Sequence, residues 1–135
     1  MKNLQVLAMV AGVFFGLWPI MMNRSGLNGN VASAMFSAVV FTMVLPFAIR
    51  SIGSMGNVNW YMAIGAGLVG SIGLMSFNAV LAKATPQNLG NLCVMMVLVQ
   101  TAIPAIYQAV MTGSVTFNKG LGFGFAALAA WFLLL

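Results

Sequence analysis

The side chains best able to do chemistry gather in one stretch, "VMMVLVQTAIPAIYQ", Val94 to Gln108. It carries Gln100, Thr101, Tyr107 and Gln108, with Pro104 among them, inside an otherwise apolar run. A side-chain amide offers N–H donors and a carbonyl acceptor, and a phenol offers one of each. Pro104 has no N–H, so in a helix the carbonyl of Gln100, four residues earlier, loses its partner. An amide and a freed carbonyl then meet at one depth. Met96, Gln100, Pro104, Tyr107 and Met111 follow helical spacing and share a face. The chemistry on offer is hydrogen-bonded recognition, either of a solute in a cavity or of a neighbouring helix.

Other chemistries lack their residues. The 135-residue chain has no Asp, Glu or His. Carboxylates supply the usual proton relays, counter-ions and hard-metal ligands in membranes, and without His, acid–base work falls to Lys, Tyr or Cys93. No nucleophile–base pair, phosphate loop or metal-ligand cluster is present, so no catalytic residue, metal or cofactor is assigned. Five scattered Lys/Arg are not the clustered footprint of a nucleic-acid binder. Cys93, alone in an apolar run, reads as a small core residue.

Hydrophobic residues make up 62% of the chain and charged residues 4%. A soluble surface needs interspersed charge, so the solvent for most of this chain is lipid. Five apolar segments, each near the roughly 20 residues that span a hydrocarbon core, are predicted at 4–22, 31–49, 60–80, 89–111 and 117–135. Between them lie "NRSGLNGN", "RSIGSMGNVN", "KATPQN" and "TGSVT", breaks with loop chemistry. The expectation is an all-α, polytopic bundle of five transmembrane helices forming one domain over 1–135. The fifth segment needs Lys119, snorkelling to the interface, to reach full length. A cleaved signal ending at Ala32–Ala34 is the competing account of the N-terminus, but its apolar stretch is too long and the cut falls inside the second segment.

If the N-terminus defines one side, Lys2, Arg50 and Lys119 fall there and Arg24 and Lys83 fall opposite, three against two. The positive-inside rule works through a Lys/Arg excess, and here it barely favours a cytoplasmic N-terminus. Either Lys2 sets one orientation, or copies insert both ways. Small residues recur at Gly12 and Gly16, at Gly65, Gly67, Gly70, Ser71 and Gly73, and at Gly122, Ala126 and Ala130. Such ridges let backbones approach where no hydrophobic force drives helices together, inside one bundle or across a dimer face. Trp18, Trp60 with Tyr61, and Trp131 with Phe132 fit an interfacial belt, and Trp18 beside Phe14 and Phe15 is also placed to line a cavity. Pro19 frees the carbonyl of Phe15, and Pro46 that of Thr42; kinked helices near the midplane build many transporter sites. Ser71 and Asn78, seven apart, share a face, with Asn78 near enough to an end to bond headgroups or loops. The candidate pathway residues are thus Gln100, Thr101, Pro104, Tyr107, Gln108, Ser71, Asn78, Phe15 and Trp18.

The stretch from "GLMSFNAVLAKATPQNLGN" through "QTAIPAIYQAVMTGSVTFNKGLGFGFAALAAWFLLL" resembles the third to fifth helices of an EamA-type repeat of the drug/metabolite transporter superfamily. The likeness lies in a helix ending near "AKAT", a short turn, a helix with a mid-span proline, a Gly turn and a Gly/Ala-rich helix. "GVFFGLWPI" is a looser echo of the family's first helix. The chain departs from the family in having Thr112-Gly113-Ser114 where Gly-Glu is common, and Gly16-Leu17-Trp18 in place of a Trp-Gly order. Full-length members hold two such repeats of opposite orientation with the substrate between them. The resemblance therefore implies one half of an inverted-repeat transporter, completed by an inverted second copy or by a homologous five-helix partner.

Four-helix relatives export cationic drugs through a membrane glutamate, a residue this chain lacks. The expected function is transport of small neutral, zwitterionic or anionic metabolites by an antiparallel dimer, multi-pass in a bacterial inner membrane, its partners being the solute, the lipid bilayer and the second chain. The alternatives are a non-transporting accessory or scaffolding subunit and a flippase for a lipid-linked substrate. A pore-forming lysis protein has less support, since no segment carries a continuous polar stripe.

Overall fold

The computed structural model describes the backbone of residues 2–54, 56–113 and 116–134, and the side chains of these except 2, 54, 119, 130, 133 and 134. Five helices follow in order: α1 (Lys2–Arg24), α2 (Gly29–Ser51), α3 (Trp60–Lys83), α4 (Leu89–Thr112) and α5 (Phe117–Leu134). One 3₁₀ turn, Ile52–Ser54, extends α2. Among the described residues there is no strand.

α1 and α2 have 23 residues each, and α3 and α4 have 24. At about 1.5 Å per residue they are roughly 34–36 Å long, more than a hydrocarbon core of about 30 Å. These four are long and apolar enough to cross a membrane. α5 is shorter, at 18 residues, about 27 Å, and its apolar described part is Gly120–Ala129. The expectation of five spans is therefore met by four helices. The side chain of Lys119, on which the length of the fifth rested, lies outside the described ones.

The breaks do what their residues dictate. Gly26 turns the chain after α1 at φ +70°, a conformation that costs glycine little. Asn28 then caps α2, its side chain accepting from the N–H of Val31 at 3.0 Å, which serves one of the free N–H groups of a helix start. Asn59 does the same for Met62 at 3.1 Å as α3 begins. Asn88 closes the α3–α4 connection by accepting from Thr85 N–H at 2.8 Å. Gly113, at φ +61°, ends α4 in a left-handed cap. Inside the helices, hydroxyls fold back on the preceding turn: Thr42 to Ala38, Ser71 to Gly67 and Ser76 to Ile72, each at 2.8 Å. These groups need no water.

Contacts divide the chain into two compact units, Met1–Lys83 and Ala84–Leu135. In the first, α2 runs antiparallel to α3, with Gly29 against Ala79 and Ser33 against Asn78. α1 runs alongside α3 in the same direction, Trp18 meeting Phe77 and Asn23 meeting Leu81. The buried residues are Pro19, Ala32, Ser33, Phe77, Asn78 and Leu81, all at the end where α1 closes, α2 opens and α3 closes. A Cβ on Gly29 would come within 2.7 Å of Ala79 Cα and 2.9 Å of Ala79 N, so glycine permits this approach. At Gly12, Gly16, Gly65, Gly67, Gly70, Gly73 and Gly122 a Cβ would meet nothing within 4 Å. Around these glycines the space next to the backbone is open. In the second unit α4 packs with α5, and no described residue is fully buried.

Candidate functional site

In the Met1–Lys83 unit, the polar groups converge on Asn78. Its side chain is fully buried, at 0% exposure, and Nδ2 donates to Ser33 Oγ at 3.0 Å. Ser33 in turn donates its only hydrogen to the Gly29 carbonyl, at 2.8 Å. That commitment fixes the amide's orientation: the Ser33 oxygen can only accept, so Asn78 presents nitrogen to it. Asn78 Oδ1 then faces elsewhere, and it is buried with no hydrogen-bond partner.

A second orphan lies in the same buried end of the unit. The Trp18 ring stacks on Phe36 with centroids 4.5 Å apart and meets Phe77 edge-on at 5.4 Å. Phe77 directly precedes Asn78, and Phe36 lies three residues from Ser33, one turn along α2. Trp18 Nε1 is buried and also unpartnered. Among the described side chains these are the two buried polar atoms left unpaired, one a donor and the other an acceptor. Leaving either so costs about 1–3 kcal/mol, and more in lipid. Trp18 Nε1 calls for an acceptor and Asn78 Oδ1 for a donor, and a hydroxyl or an amide offers both.

Several expectations change here. Asn78 does not reach headgroups or loops, because the close approach of α2 at Gly29 covers it. Trp18 is half-buried and turned toward α2 and α3, not to an interfacial belt. Phe14 and Phe15, next to it in the sequence, are exposed. Ser71 shares its helix face with Asn78 but lies two turns away, exposed and bonded within its own helix, so the two are not brought together. Trp60, Tyr61, Trp131 and Phe132 are exposed, as a belt requires. In the sequence Ser33 stands out only within a cleavage-like tripeptide, and Asn23 and Gly29 only as loop residues. The "NGN" at 28–30 with a serine four residues beyond its glycine was the available signal.

In the Ala84–Leu135 unit, Gln100, Thr101, Pro104, Tyr107 and Gln108 all lie in α4 and all are exposed. Leu89, Leu92, Cys93, Met95 and Met96 are half-buried on several sides of the first half of α4, whereas from Leu98 onward the half-buried positions Leu98, Ala102, Ala105 and Ala109 recur on one side. At about 100° per residue, the Gln100–Pro104–Tyr107 face is on the opposite side. Thr101 does not satisfy the carbonyl that Pro104 frees at Gln100; its hydroxyl donates to Leu98 O at 3.1 Å. Cys93 is half-buried. No group of three or more His, Cys, Asp or Glu exists among the described residues to hold a metal. Comparison of the chain with protein-family models, with curated proteins and with solved structures gives no match.

Proposed function

We propose that this chain is one half of a membrane transporter for small neutral, zwitterionic or anionic metabolites. It works as an antiparallel dimer in the manner of an EamA-type repeat, in a bacterial inner membrane. The observation that carries the reading is the unpartnered pair Trp18 Nε1 and Asn78 Oδ1. A bundle held together by apolar contact alone gains nothing from burying an unsatisfied donor and an unsatisfied acceptor. A solute site gains selectivity from them, because a solute without the matching groups leaves both unpaired.

The α4 face supports the dimer. Gln100, Tyr107 and Gln108 are exposed on a helix apolar enough to cross a membrane, where lipid satisfies no amide. An inverted copy covers that face and completes the pathway, and the three-against-two distribution of basic residues permits both insertions. With no Asp or Glu in the chain, no acidic side chain is available for proton coupling, and exchange or facilitated diffusion fits the residues better.

Flux assays in liposomes test the reading, with panels of neutral, zwitterionic and anionic solutes. Transport by the wild-type chain that is lost in Asn78→Leu and in Gln100→Leu, with assembly retained, supports it. Absence of flux for every class, with co-purification of a larger membrane protein at fixed stoichiometry, moves the chain to the accessory-subunit reading. The open glycines of α1 and α3 favour that second reading over the flippase.

A further inference from the structure

From Leu98 onward the half-buried positions of α4 lie on one side, and Gln100, Pro104 and Tyr107 stand exposed on the other. Gln100 is at the midpoint of α4, which runs Leu89–Thr112. Its side chain has no hydrogen-bond partner among the described residues, and Pro104 frees its backbone carbonyl as well. At mid-depth in a bilayer neither group is served by lipid. A second Gln100 serves both. The amide carries two N–H donors, and each copy offers two acceptors, its amide oxygen and its freed carbonyl, so donors and acceptors match. Depth decides how two copies can meet. Copies inserted in opposite directions are related by a two-fold axis lying in the membrane plane, and along two facing helices only a residue on that axis opposes its own counterpart. Away from the axis unlike residues meet. Tyr107, two turns beyond Gln100, comes opposite Cys93, two turns before it and on the same face at about 100° per residue. Copies inserted in one direction would need no central placement of the amide.

We propose that α4 crosses the α4 of an inverted second copy at Gln100, so that the two Gln100 amides face each other on the two-fold axis and gate the pathway at its midpoint. The inference rests on the antiparallel transporter proposed above and names the helix that makes its seam. Without solute, the amides bond to each other and to the freed carbonyls. A solute carrying both a donor and an acceptor takes their place, so the gate opens by exchanging hydrogen bonds and leaves none unmade. Leucine at this position closes the seam by apolar contact and offers the solute nothing to exchange. Loss of flux is thereby separate from loss of the dimer.

Thiol cross-linking of the full chain in membranes tests the seam, with a short bis-maleimide and dimer read on denaturing gels. The chains compared are wild type, whose one cysteine is Cys93, Tyr107→Cys, Cys93→Ala/Tyr107→Cys and Cys93→Ala/Gln100→Cys. On the antiparallel seam, two copies of position 93 lie about 21 Å apart along the helices, at roughly 1.5 Å per residue, and so do two copies of position 107. Wild type and Cys93→Ala/Tyr107→Cys therefore run as monomers. Tyr107→Cys, which joins position 93 to position 107, and Cys93→Ala/Gln100→Cys, which joins on the axis, each convert most chains to dimer. If Tyr107→Cys does not fold, wild type and Cys93→Ala/Gln100→Cys decide by the same rule. Dimer from wild type as abundant as from Cys93→Ala/Gln100→Cys means helices paired in one direction, and overturns both the seam and the antiparallel reading. Dimer from none of the chains overturns the seam. The antiparallel reading then stands, through another face, if Asn57→Cys in a Cys93→Ala background is modified from both sides of the membrane, and falls with the seam if it is modified from one.

Discussion

Asn78 donates its amide hydrogen to Ser33 Oγ across a sequence separation of 45 residues, at 3.0 Å, and in doing so turns its own carbonyl oxygen into an unpaired acceptor. The bond that fastens α3 to α2 thus leaves an unpaired acceptor in the buried end of the unit. Fastening and recognition are two ends of one side chain.

Replacing Asn78 by leucine separates those roles. The variant loses an interhelical hydrogen bond worth about 0.6–2 kcal/mol and removes a buried orphan costing about 1–3 kcal/mol. Stability is therefore unchanged or higher by about 1 kcal/mol, while flux disappears. Reversible unfolding in mixed micelles and solute uptake in liposomes check the two halves. A loss of several kcal/mol would mean that Oδ1 has a partner in the bilayer.

Trp18→Phe keeps an aromatic ring against Phe36 and Phe77 and deletes only the N–H donor and part of the ring area. Uptake is expected to fall for solutes that accept a hydrogen bond, with a smaller effect on unfolding than on flux. Equal uptake of such solutes by variant and wild type removes the indole N–H from the site.

Gly29→Ala places a methyl against Ala79 backbone atoms at 2.7 and 2.9 Å, and backbone cannot swing aside. A destabilisation of about 1–3 kcal/mol follows. Gly70→Ala meets nothing within 4 Å and gains helix propensity, about 0.5–1 kcal/mol. If that second variant instead weakens association in cross-linking, α3 has a protein neighbour along its glycine ridge.

Gln100→Leu removes the exposed amide at mid-depth in α4 while keeping an apolar side chain there. Expression and dimer cross-linking stay at wild-type level and uptake is lost. Uptake that persists at the wild-type rate assigns Gln100 to holding helices together.

Orientation is read most directly by labelling. In a Cys93→Ala background, which removes the chain's one cysteine, Asn57→Cys presents an exposed thiol in the α2–α3 connection. Copies inserted both ways give modification from each side of the membrane in comparable amounts. Modification from one side only leaves no inverted copy to complete the pathway.

The helices were legible because apolar length and Asn/Gly/Pro punctuation are local signals: the predicted 31–49 and 89–111 lie inside Gly29–Ser51 and Leu89–Thr112. The polar side of α4 was legible for the same reason, since helical spacing alone places Gln100, Pro104 and Tyr107 together. The burial of Asn78 is not legible locally, because it depends on which helix lies opposite, and the close approach at Gly29, a glycine in a loop-like setting, allows α2 to lie there. The conspicuous ridges drew attention instead, yet a repeat of small residues says only that a neighbour could come close. Ser33 carried no periodic signal at all. It matters because of what Asn78 does to it.

The Met1–Lys83 unit is fastened at one end. Residues 3–17 of α1 and 37–51 of α2 are exposed throughout, while Pro19, Ala32, Ser33, Phe77, Asn78 and Leu81 are buried together near the α1–α2 turn. Mechanically this is a fulcrum with long arms. From Ser33 to Ser51, α2 extends about 27 Å at roughly 1.5 Å per residue. A tilt of about 10° at the fastening would carry its far end about 5 Å, close to the rise of one helical turn. Pro19, at the root of the α1 arm, removes a backbone hydrogen bond where such a tilt would otherwise strain the helix. A small rearrangement around Asn78 would thereby be amplified at the far end of α2.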